Sequence, residues 1–287
     1  MATSTSAPTP TPAAPTDLPT IIIAPTAAPT HTVIFLHGRG GTASSLASQL
    51  HHWLSSQGRS PFTAFPSFRW VFPQAPTQRC SSLPATWAQW FDVHDTSDFR
   101  AREEVQLPGL RASVPGVHRL LAREAAVLNG RWDRVLLAGI SMGAATSVHA
   151  VLNLPDIPSQ AGGRLGALLL FCGRCPFDGR PLGEMRAALG LETTGGGDLS
   201  AVLRDTPVLL EHCADDRTVP VANGRRMRDT LRAFGGKVVE WCEYPEGGHW
   251  FCSPQGMDDL VAFVRGNVFG VDLPEEAAAD ADAMDMS

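Results

Sequence analysis

The pentapeptide Gly139-Ile140-Ser141-Met142-Gly143 places a serine between two glycines in the pattern G-x-S-x-G. It follows a short apolar run and precedes an alanine-rich segment, which predicts a tight turn from a strand into a helix. The glycines leave room for this turn, and the serine hydroxyl is then exposed at the start of the helix. The N–H of Met142 would face an oxyanion formed there. The pattern predicts a nucleophilic serine at position 141, the alternative being a chance match in a loop.

Two later segments supply groups that could activate this serine. Asp215 and Asp216 follow another apolar run, and His249 follows two glycines just before the last predicted helix. A lone histidine is more often structural, and an aspartate at a strand end is more often a helix cap. The chain order serine, aspartate, histidine is nevertheless the one that the α/β-hydrolase fold produces. We therefore predict Ser141 as nucleophile and His249 as general base, while the residues alone leave Asp215 and Asp216 as competing acids.

A glycine-rich segment, residues 37–41, follows the first long apolar run. It has neither G-x-x-x-x-G-K-[ST] nor G-x-G-x-x-G spacing, so a phosphate-binding loop is the weaker interpretation. A loop at this place in the chain can instead supply the second oxyanion donor, and we predict that this donor is the N–H of Arg39. His37 is predicted to be a buried, hydrogen-bonded residue that shapes the loop rather than a catalytic group.

The elements that must position these residues alternate along the chain. Six apolar runs without clean alternation predict strands buried on both faces: residues 32–37, 69–73, 134–138, 166–171, 207–211 and 238–242. Helical patterns cover residues 114–128, 142–152, 221–234 and 257–268, the first with Ser113 as N-cap and Gly130 as a stop signal. This order predicts an α/β fold of a single domain, with a doubly wound, mostly parallel sheet and helices on both faces. Function then lies at the carboxyl ends of the strands.

Composition limits the classes of protein that the chain can belong to. Of 287 residues, 44% are hydrophobic and 18% charged, which is enough apolar material for a large core. The net charge of −6, without a cluster of Lys and Arg, argues against binding nucleic acid or anionic membranes. No apolar run is long enough to span a bilayer, and no signal peptide is recognised, so a cytoplasmic location is expected. We expect a disordered Ala/Pro/Thr-rich tail at residues 1–17, a domain at 18–270 and an acidic disordered tail at 271–287.

Cys172 and Cys175 form a C-x-x-C pair, which could be a redox pair or half of a zinc site. No further ligands follow at close spacing, and Cys172 ends an apolar run, so we favour two small core residues. The remaining histidines form no H-E-x-x-H or similar cluster. We therefore predict no metal site, and we expect no cofactor.

Several of these segments together resemble the acyl-protein thioesterase, or phospholipase/carboxylesterase, family of small α/β-hydrolases. They are residues 33–38, Phe72-Pro-Gln-Ala-Pro76, Trp90-Phe91-Asp92, the serine pentapeptide, residues 216–220 and Gly248-His249. The resemblance covers about residues 20–268, and the insert at residues 95–110 resembles fungal-type members. It implies that Asp216, not Asp215, is the acid, and that the N–H groups of Arg39 and Met142 form the oxyanion hole. It also implies a serine esterase or thioesterase that acts on acyl chains.

Departures from the family pattern concern the substrate pocket. Members often have Gln at position 142, Leu at 39, Asp at 41 and Pro at 217, where this chain has Met, Arg, Gly and Arg. Backbone donation survives such changes, but the polarity of the pocket changes. Trp87, Trp90 and Phe91 are predicted to wall a substrate groove, and Trp70 is at least as well explained as core. The predicted partner is a small-molecule or lipidated-protein acyl substrate, and the oligomeric state is left open.

Three alternatives stay open on the sequence. Two are enzymes, a small-ester carboxylesterase and a hydrolase of metabolite thioesters. The third is a ligand-binding homologue without activity, although all three positions of a catalytic triad are occupied in this chain. Fold by itself does not distinguish them.

Overall fold

The computed structural model describes residues 17–191 and 201–270. The predicted tail at 271–287, and all of the predicted tail at 1–17 except Asp17, lie outside the described residues. Nine strands occur in this part of the chain: β1 (Thr20–Ile23), β2 (His31–Leu36), β3 (Phe68–Pro73), β4 (Thr77–Arg79), β5 (Thr86–Ala88), β6 (Val135–Ile140), β7 (Ala167–Phe171), β8 (Val208–Cys213) and β9 (Val239–Tyr244). The α-helices are α1 (Ala43–Gln49), α2 (Pro61–Ala64), α3 (Leu107–Val127), α4 (Met142–Leu152), α5 (Leu182–Leu189), α6 (Ala201–Asp205), α7 (Val221–Ala233) and α8 (Gln255–Asn267).

The main sheet has seven strands in the order β1-β3-β2-β6-β7-β8-β9. Only its edge strand β1 runs antiparallel to its neighbour, and the other six strands are parallel. These six are the strands that the apolar runs predict, so the mostly parallel doubly wound sheet is confirmed. The prediction of burial on both faces is wrong for β9, which lies at an edge of the sheet and has Glu240 and Glu243 exposed. Strands β4 and β5 form a separate antiparallel pair. All parallel strands point their carboxyl ends to one edge of the sheet, which is where the predicted site residues follow.

Hydrophobic side chains pack on both faces of the sheet. Ile34 and Leu137 belong to the core on the face covered by α3, α4 and α7. Their chain neighbours Phe35 and Leu136 belong to the core on the opposite face, under α1 and α8. Because successive residues of a strand point to opposite faces, a strand covered on both sides must be apolar throughout. This explains why the runs do not alternate.

Helix α3 corrects one prediction. It begins at Leu107, several residues before the predicted start, and Ser113 is therefore inside the helix rather than its N-cap. The buried Ser113 hydroxyl donates to the carbonyl of Trp90 at 2.6 Å. Pro108 is in the first turn, where its missing N–H costs no helical hydrogen bond. The predicted end is confirmed, since the N–H of Gly130 (φ 79°) donates back to the Ala125 carbonyl at 2.8 Å.

Within residues 17–191 and 201–270, no helix has the length and apolar character needed to cross a membrane. The cytoplasmic location remains a prediction.

Candidate active site

Ser141 occupies the turn between β6 and α4. Its backbone has φ 57° and ψ −119°, an unusual conformation for a residue with a side chain. A Cβ atom at Gly143 would lie 2.7 Å from the carbonyl carbon of Leu36, and one at Gly139 would lie 2.6 Å from the backbone nitrogen of Ala144. Both glycines are therefore required by close backbone contacts. The turn holds the serine at the head of α4, as the pentapeptide predicts.

His249 lies in the loop between β9 and α8. Two glycines with positive φ, Gly247 at 141° and Gly248 at 67°, precede it. The imidazole Nδ1 is 2.7 Å from Oδ2 of Asp216. Asp215 instead accepts the Gly248 N–H at 2.8 Å, so it holds the histidine loop without contacting the ring. The structure thus brings together His249 and Asp216, the pairing implied by the family resemblance.

Asp216 is only 4% exposed, directly after β8. Its Oδ1 accepts the N–H groups of Thr218 at 2.8 Å and Val219 at 2.9 Å, and its Oδ2 also lies 3.2 Å from Nε2 of His212. Burial alone would raise the pKa of this carboxyl, but hydrogen bonds from His212, His249 and the Val219 N–H outweigh it and hold the pKa well below its ordinary value. An ionised Asp216 keeps the proton of His249 on Nδ1 and leaves Nε2 free to act as a base.

Ser141 and His249 line the same open cleft, a cavity of about 380 Å³ that also includes Gly38, Arg39 and Trp250. In the described part of the chain the Ser141 hydroxyl makes no hydrogen bond, so the contact to His249 is not formed in this structure. Catalytic hydrogen bonds are often long before substrate binds and tighten in the complex.

The two predicted oxyanion donors lie beside Ser141. Among the described residues the N–H groups of Arg39 and Met142 have no hydrogen-bond acceptor, whereas the N–H groups of Gly40 and Gly41 are both bonded to carbonyls. Both Arg39 and Met142 share a cavity with Ser141. The arrangement leaves two N–H groups available where charge would develop on a substrate carbonyl.

His37 is buried and shapes the glycine-rich loop, as predicted. Its Nε2 accepts the N–H of Ala75 at 3.1 Å, and its Nδ1 is 2.7 Å from the carbonyl of Gly38. The indole N–H of Trp90 donates to the His37 carbonyl at 2.8 Å. Burial lowers the pKa of His37, so the ring is the neutral partner of these contacts.

The three aromatic residues predicted to bind substrate have different surroundings. Trp90 is fully buried behind the loop, so it supports the site instead of lining it. Trp87 is 38% exposed and lies at the rim, where the Arg39 guanidinium is 5.2 Å from its ring centre. Only Phe91 lines a cavity at Ser141. Trp70 is a core residue, 3% exposed.

A second cavity meets the open cleft at Ser141 and Arg39. This small cavity, of about 70 Å³, is lined by Arg39, Phe91, Val93, Thr96, Phe99, Ser141, Met142, Arg174, Thr218 and Val219. Its walls are mainly apolar. Phe99 and Arg174 were not predicted from the sequence. A signal existed for Arg174, which comes shortly after β7 and so lies at the functional edge of the sheet.

Cys172 and Cys175 are both buried with free thiols, in agreement with the prediction of core residues. Ligand atoms of Cys172, Asp216 and His249 all lie within 4.8 Å of one another, a grouping that the sequence did not predict. Within this group Asp216 and His249 contact each other at 2.7 Å, and the Cys172 thiol donates to the Trp250 carbonyl at 3.2 Å. Contact with Cys213 and burial raise the pKa of Cys172 well above its ordinary value, which keeps the thiol protonated.

Comparison with known proteins places the chain in a family. The family model described as Phospholipase/Carboxylesterase matches residues 19–180, more than half of the chain. The chain belongs to the phospholipase/carboxylesterase family. The predicted α/β-hydrolase fold is thereby confirmed, and the chain is a member of a family of hydrolases.

Curated relatives of this family member carry different names. Acyl-protein thioesterase 1 of Schizosaccharomyces pombe is 28% identical over 209 residues, which cover 71% of this chain and 76% of that protein. A protein of Oryza sativa subsp. japonica named a probable inactive carboxylesterase is 30% identical over 259 residues, covering 83% and 91%. Among solved structures, Zea mays acyl-protein thioesterase 2 aligns with a TM-score of 0.66 at 23% identity, over 87% of this chain and 99% of that one. The last likeness concerns the fold alone.

Proposed function

We propose that this protein is a serine hydrolase that cleaves carboxylic esters or thioesters of acyl groups through an acyl-Ser141 intermediate. His249 is the general base, Asp216 orients it, and the N–H groups of Arg39 and Met142 form the oxyanion hole. The observation that carries the proposal is the 2.7 Å contact between His249 Nδ1 and the buried Asp216 carboxylate in a cleft that also contains Ser141. No cofactor takes part in this chemistry.

The reaction has two halves. Ser141 Oγ attacks the substrate carbonyl carbon while His249 Nε2 takes the hydroxyl proton, and the two N–H groups bind the resulting oxyanion. Each such donor is typically worth about 3–4 kcal/mol of barrier. The carbon–oxygen or carbon–sulfur bond then breaks, and the leaving alcohol or thiol takes the proton from His249. Water repeats the cycle on the acyl-enzyme and releases the carboxylic acid.

The two cavities suggest how a substrate is divided across the site. The small cavity, with Phe91, Phe99 and Met142 in its wall, suits the acyl group, and the larger open cleft suits the leaving group. A thiolate leaves more readily than an alkoxide, so one site can cleave both classes of ester. The names of the acyl-protein thioesterase relatives support a thioester of a lipidated protein as one substrate.

A small-ester carboxylesterase is the second candidate. The volume of the small cavity, about 70 Å³, favours it because a long acyl chain would need more room than this cavity provides. A chain-length series of acyl esters and acyl thioesters separates the two candidates. Activity restricted to short chains supports the carboxylesterase, whereas activity that rises with chain length supports the lipid thioesterase.

Covalent labelling tests whether the protein is an enzyme at all, which matters because one relative is named inactive. A fluorophosphonate probe should label the wild type at Ser141, and Ser141→Ala should lose both labelling and about 10⁴-fold or more of ester turnover while staying folded. Ser45→Ala is the control, since Ser45 lines the same cleft but is not at the turn. An unlabelled wild type, or labelling that persists in Ser141→Ala, would refute the proposal and favour a non-catalytic binding protein.

A further inference from the structure

The small cavity contains a cation that the hydrolytic mechanism does not use. Arg174 follows β7 and is 7% exposed, yet it lines this cavity together with Ser141 and Met142. Most of the remaining wall is apolar, with Phe91, Val93 and Phe99. A guanidinium in such a wall is unusual because burying a charge without a partner is unfavourable.

The guanidinium of Arg174 is held in place, but few of its N–H donors are hydrogen-bonded within the described residues. Its Nη2 donates to Oε1 of Gln106 at 2.8 Å, and its central carbon is 4.4 Å from the Phe99 ring centre and 5.6 Å from that of Phe91. A guanidinium has five N–H donors. Among residues 17–191 and 201–270, Gln106 is the one acceptor of a hydrogen bond from this group, and no carboxylate lies within salt-bridge distance of it.

The nearest acidic groups are engaged elsewhere. Asp178 pairs with Arg100 at 2.7 Å and with Arg226 at 2.8 Å. Glu103 accepts the Phe177 N–H at 2.6 Å and lies 3.7 Å from Arg180.

Arg174 itself stays charged at neutral pH. Burial lowers its pKa to about 10, against the opposing effect of Glu103, and this value is still well above neutrality. The small cavity therefore presents a fixed positive charge with free donors a short way from the nucleophile.

We propose that the small cavity binds an acyl group that ends in a carboxylate, with Arg174 as the residue that recognises this end. The inference rests on the proposed esterase function and names its substrate class, half-esters or half-thioesters of short dicarboxylic acids. Arginine matches a carboxylate with two parallel hydrogen bonds, which fixes its position as well as its charge. The apolar residues between Ser141 and Arg174 would contact the intervening methylene groups. A plain alkyl chain would instead place its methyl end against the guanidinium and leave the donors unpaired.

Two substrates of equal length and shape test this directly. Monoethyl glutarate ends in a carboxylate, and ethyl 5-methylhexanoate carries an isopropyl group at the same position. Wild-type protein should cleave monoethyl glutarate with a kcat/KM about tenfold or more higher, mostly through a lower KM, because charge-assisted hydrogen bonds form in the complex. Monoethyl succinate and monoethyl adipate then define the preferred length. Equal or faster cleavage of ethyl 5-methylhexanoate would overturn the inference.

Variants at Arg174 test whether this side chain causes the preference for monoethyl glutarate. Arg174→Met keeps an unbranched side chain without charge. It should abolish or reverse the preference for monoethyl glutarate, measured as the ratio of the kcat/KM values for the two esters. Arg174→Lys keeps the positive charge but cannot form two parallel hydrogen bonds to a carboxylate, so it should give an intermediate ratio. Arg180→Met is the control, since Arg180 stacks on Phe177 at 4.9 Å without lining the cavity, and it should leave the wild-type ratio unchanged. The same change of ratio in Arg174→Met and Arg180→Met would mean a long-range charge effect and would contradict the inference.

The outcomes separate this inference from the proposed function. If the fluorophosphonate probe labels Ser141 but the two esters are cleaved equally well, the inference is refuted and the proposed function is supported. If neither ester is cleaved and Ser141 is not labelled, the proposed esterase function is refuted. Calorimetry then measures whether monoethyl glutarate binds, which tests the carboxylate site without catalysis. Binding by the wild type that Arg174→Lys weakens would support the carboxylate site, and no binding would overturn it. The wild-type comparison stands even if Arg174→Met does not fold.

Discussion

Two adjacent carboxylates at the end of β8 have different surroundings and therefore different properties. Asp216 is buried and surrounded by N–H donors from His212, His249, Thr218 and Val219. Asp215 is exposed, and the one hydrogen bond that it accepts within the described part of the chain comes from the Gly248 N–H. The same residue type thus serves in one case to keep an ionised acceptor beside an imidazole, and in the other to hold the loop that carries it.

Substitution of each aspartate by asparagine tests this division. Asp216→Asn should reduce kcat on an acyl ester by about 10⁴-fold, because an amide favours the wrong tautomer of His249 and does not stabilise its charged form. Asp215→Asn should cost less than about tenfold, since the amide oxygen can still accept the Gly248 N–H. Steady-state kinetics measure both, with thermal unfolding as the check on folding. A larger loss in Asp215→Asn would reassign the acid.

The residues of the site differ in how far sequence could reveal them. Ser141 and His249 follow from motif and chain order, and the choice of Asp216 over Asp215 required the family resemblance. Arg174 was missed although its place shortly after β7 is a signal, whereas His212 and Phe99 were missed because their positions at the site depend on which neighbours they contact in three dimensions. Such contacts leave no local pattern in the chain.

At the scale of elements, helix α3 is positioned by a close approach to the segment that carries Phe91. A Cβ atom at Gly109 would lie 2.7 Å from Cβ of Phe91 and 3.0 Å from the carbonyl oxygen of Trp90. The sequence predicts the start of this helix after Ser113, whereas in the structure Pro108 and Gly109 lie in its first turn. The glycine is needed for packing, and for that reason local propensity predicts the wrong start.

Gly109→Ala should destabilise the protein by about 1–3 kcal/mol, since overpacking outweighs the gain in helix propensity. Gly183→Ala is the matched control, because Gly183 is also in the first turn of a helix and its added Cβ would meet no atom within 4 Å. That variant should be unchanged or more stable by up to about 1 kcal/mol. Urea unfolding measures both, and a gain in stability in both variants would contradict the packing argument.

Gly109→Ala should also affect activity, because Phe91 walls the small cavity beside Ser141. A helix pushed away from Phe91 changes the shape of this wall, so kcat/KM for a short acyl ester should fall while Gly183→Ala keeps the wild-type value. Unchanged kinetics in a destabilised Gly109→Ala variant would mean that the cavity does not depend on this helix contact.

At the scale of the whole molecule, the parallel strands of the main sheet could be predicted from the sequence. The antiparallel edge strand β1 and the separate pair β4 and β5 could not. Strands covered on both faces must be continuously apolar, so the inner strands β3, β2, β6, β7 and β8 are visible as runs in the sequence. The edge strand β9 also follows an apolar run, although its glutamates are exposed. The edge strand β1 is partly exposed and the pair β4 and β5 has only three residues in each strand, so neither has a comparable pattern. The edge where the site lies follows from the βαβ alternation, because parallel strands place their carboxyl ends at one edge of the sheet, whereas the order of the strands was not predicted.

The sheet also contains a carboxyl group that makes stability depend on pH. Glu211, in the centre of β8, is 3% exposed, and neither of its carboxylate oxygens has a hydrogen-bond partner among the described residues. Burial raises the pKa of Glu211 well above its ordinary value, with a further contribution from the charges of Asp259 and Cys213. In the folded protein the group is therefore held as the neutral acid at pH values where the unfolded chain is ionised.

This difference fixes the sign of the pH effect. Between the pKa of the unfolded chain, about 4.3, and the higher folded pKa, the unfolded state binds fewer protons, so the free energy of unfolding falls by about 1.4 kcal/mol for each pH unit. Glu211→Gln removes this pH-dependent loss of stability. The free energy of unfolding of the variant, relative to that of the wild type, should therefore rise steadily from pH 4 upward. The slope is the readout, because a buried amide without partners adds an offset that does not vary with pH. Urea unfolding at several pH values, with the exposed Glu240→Gln on the neighbouring strand β9 as control, measures it. A constant difference between Glu211→Gln and wild type across the pH range would mean that the carboxyl titrates alike in the folded and unfolded states.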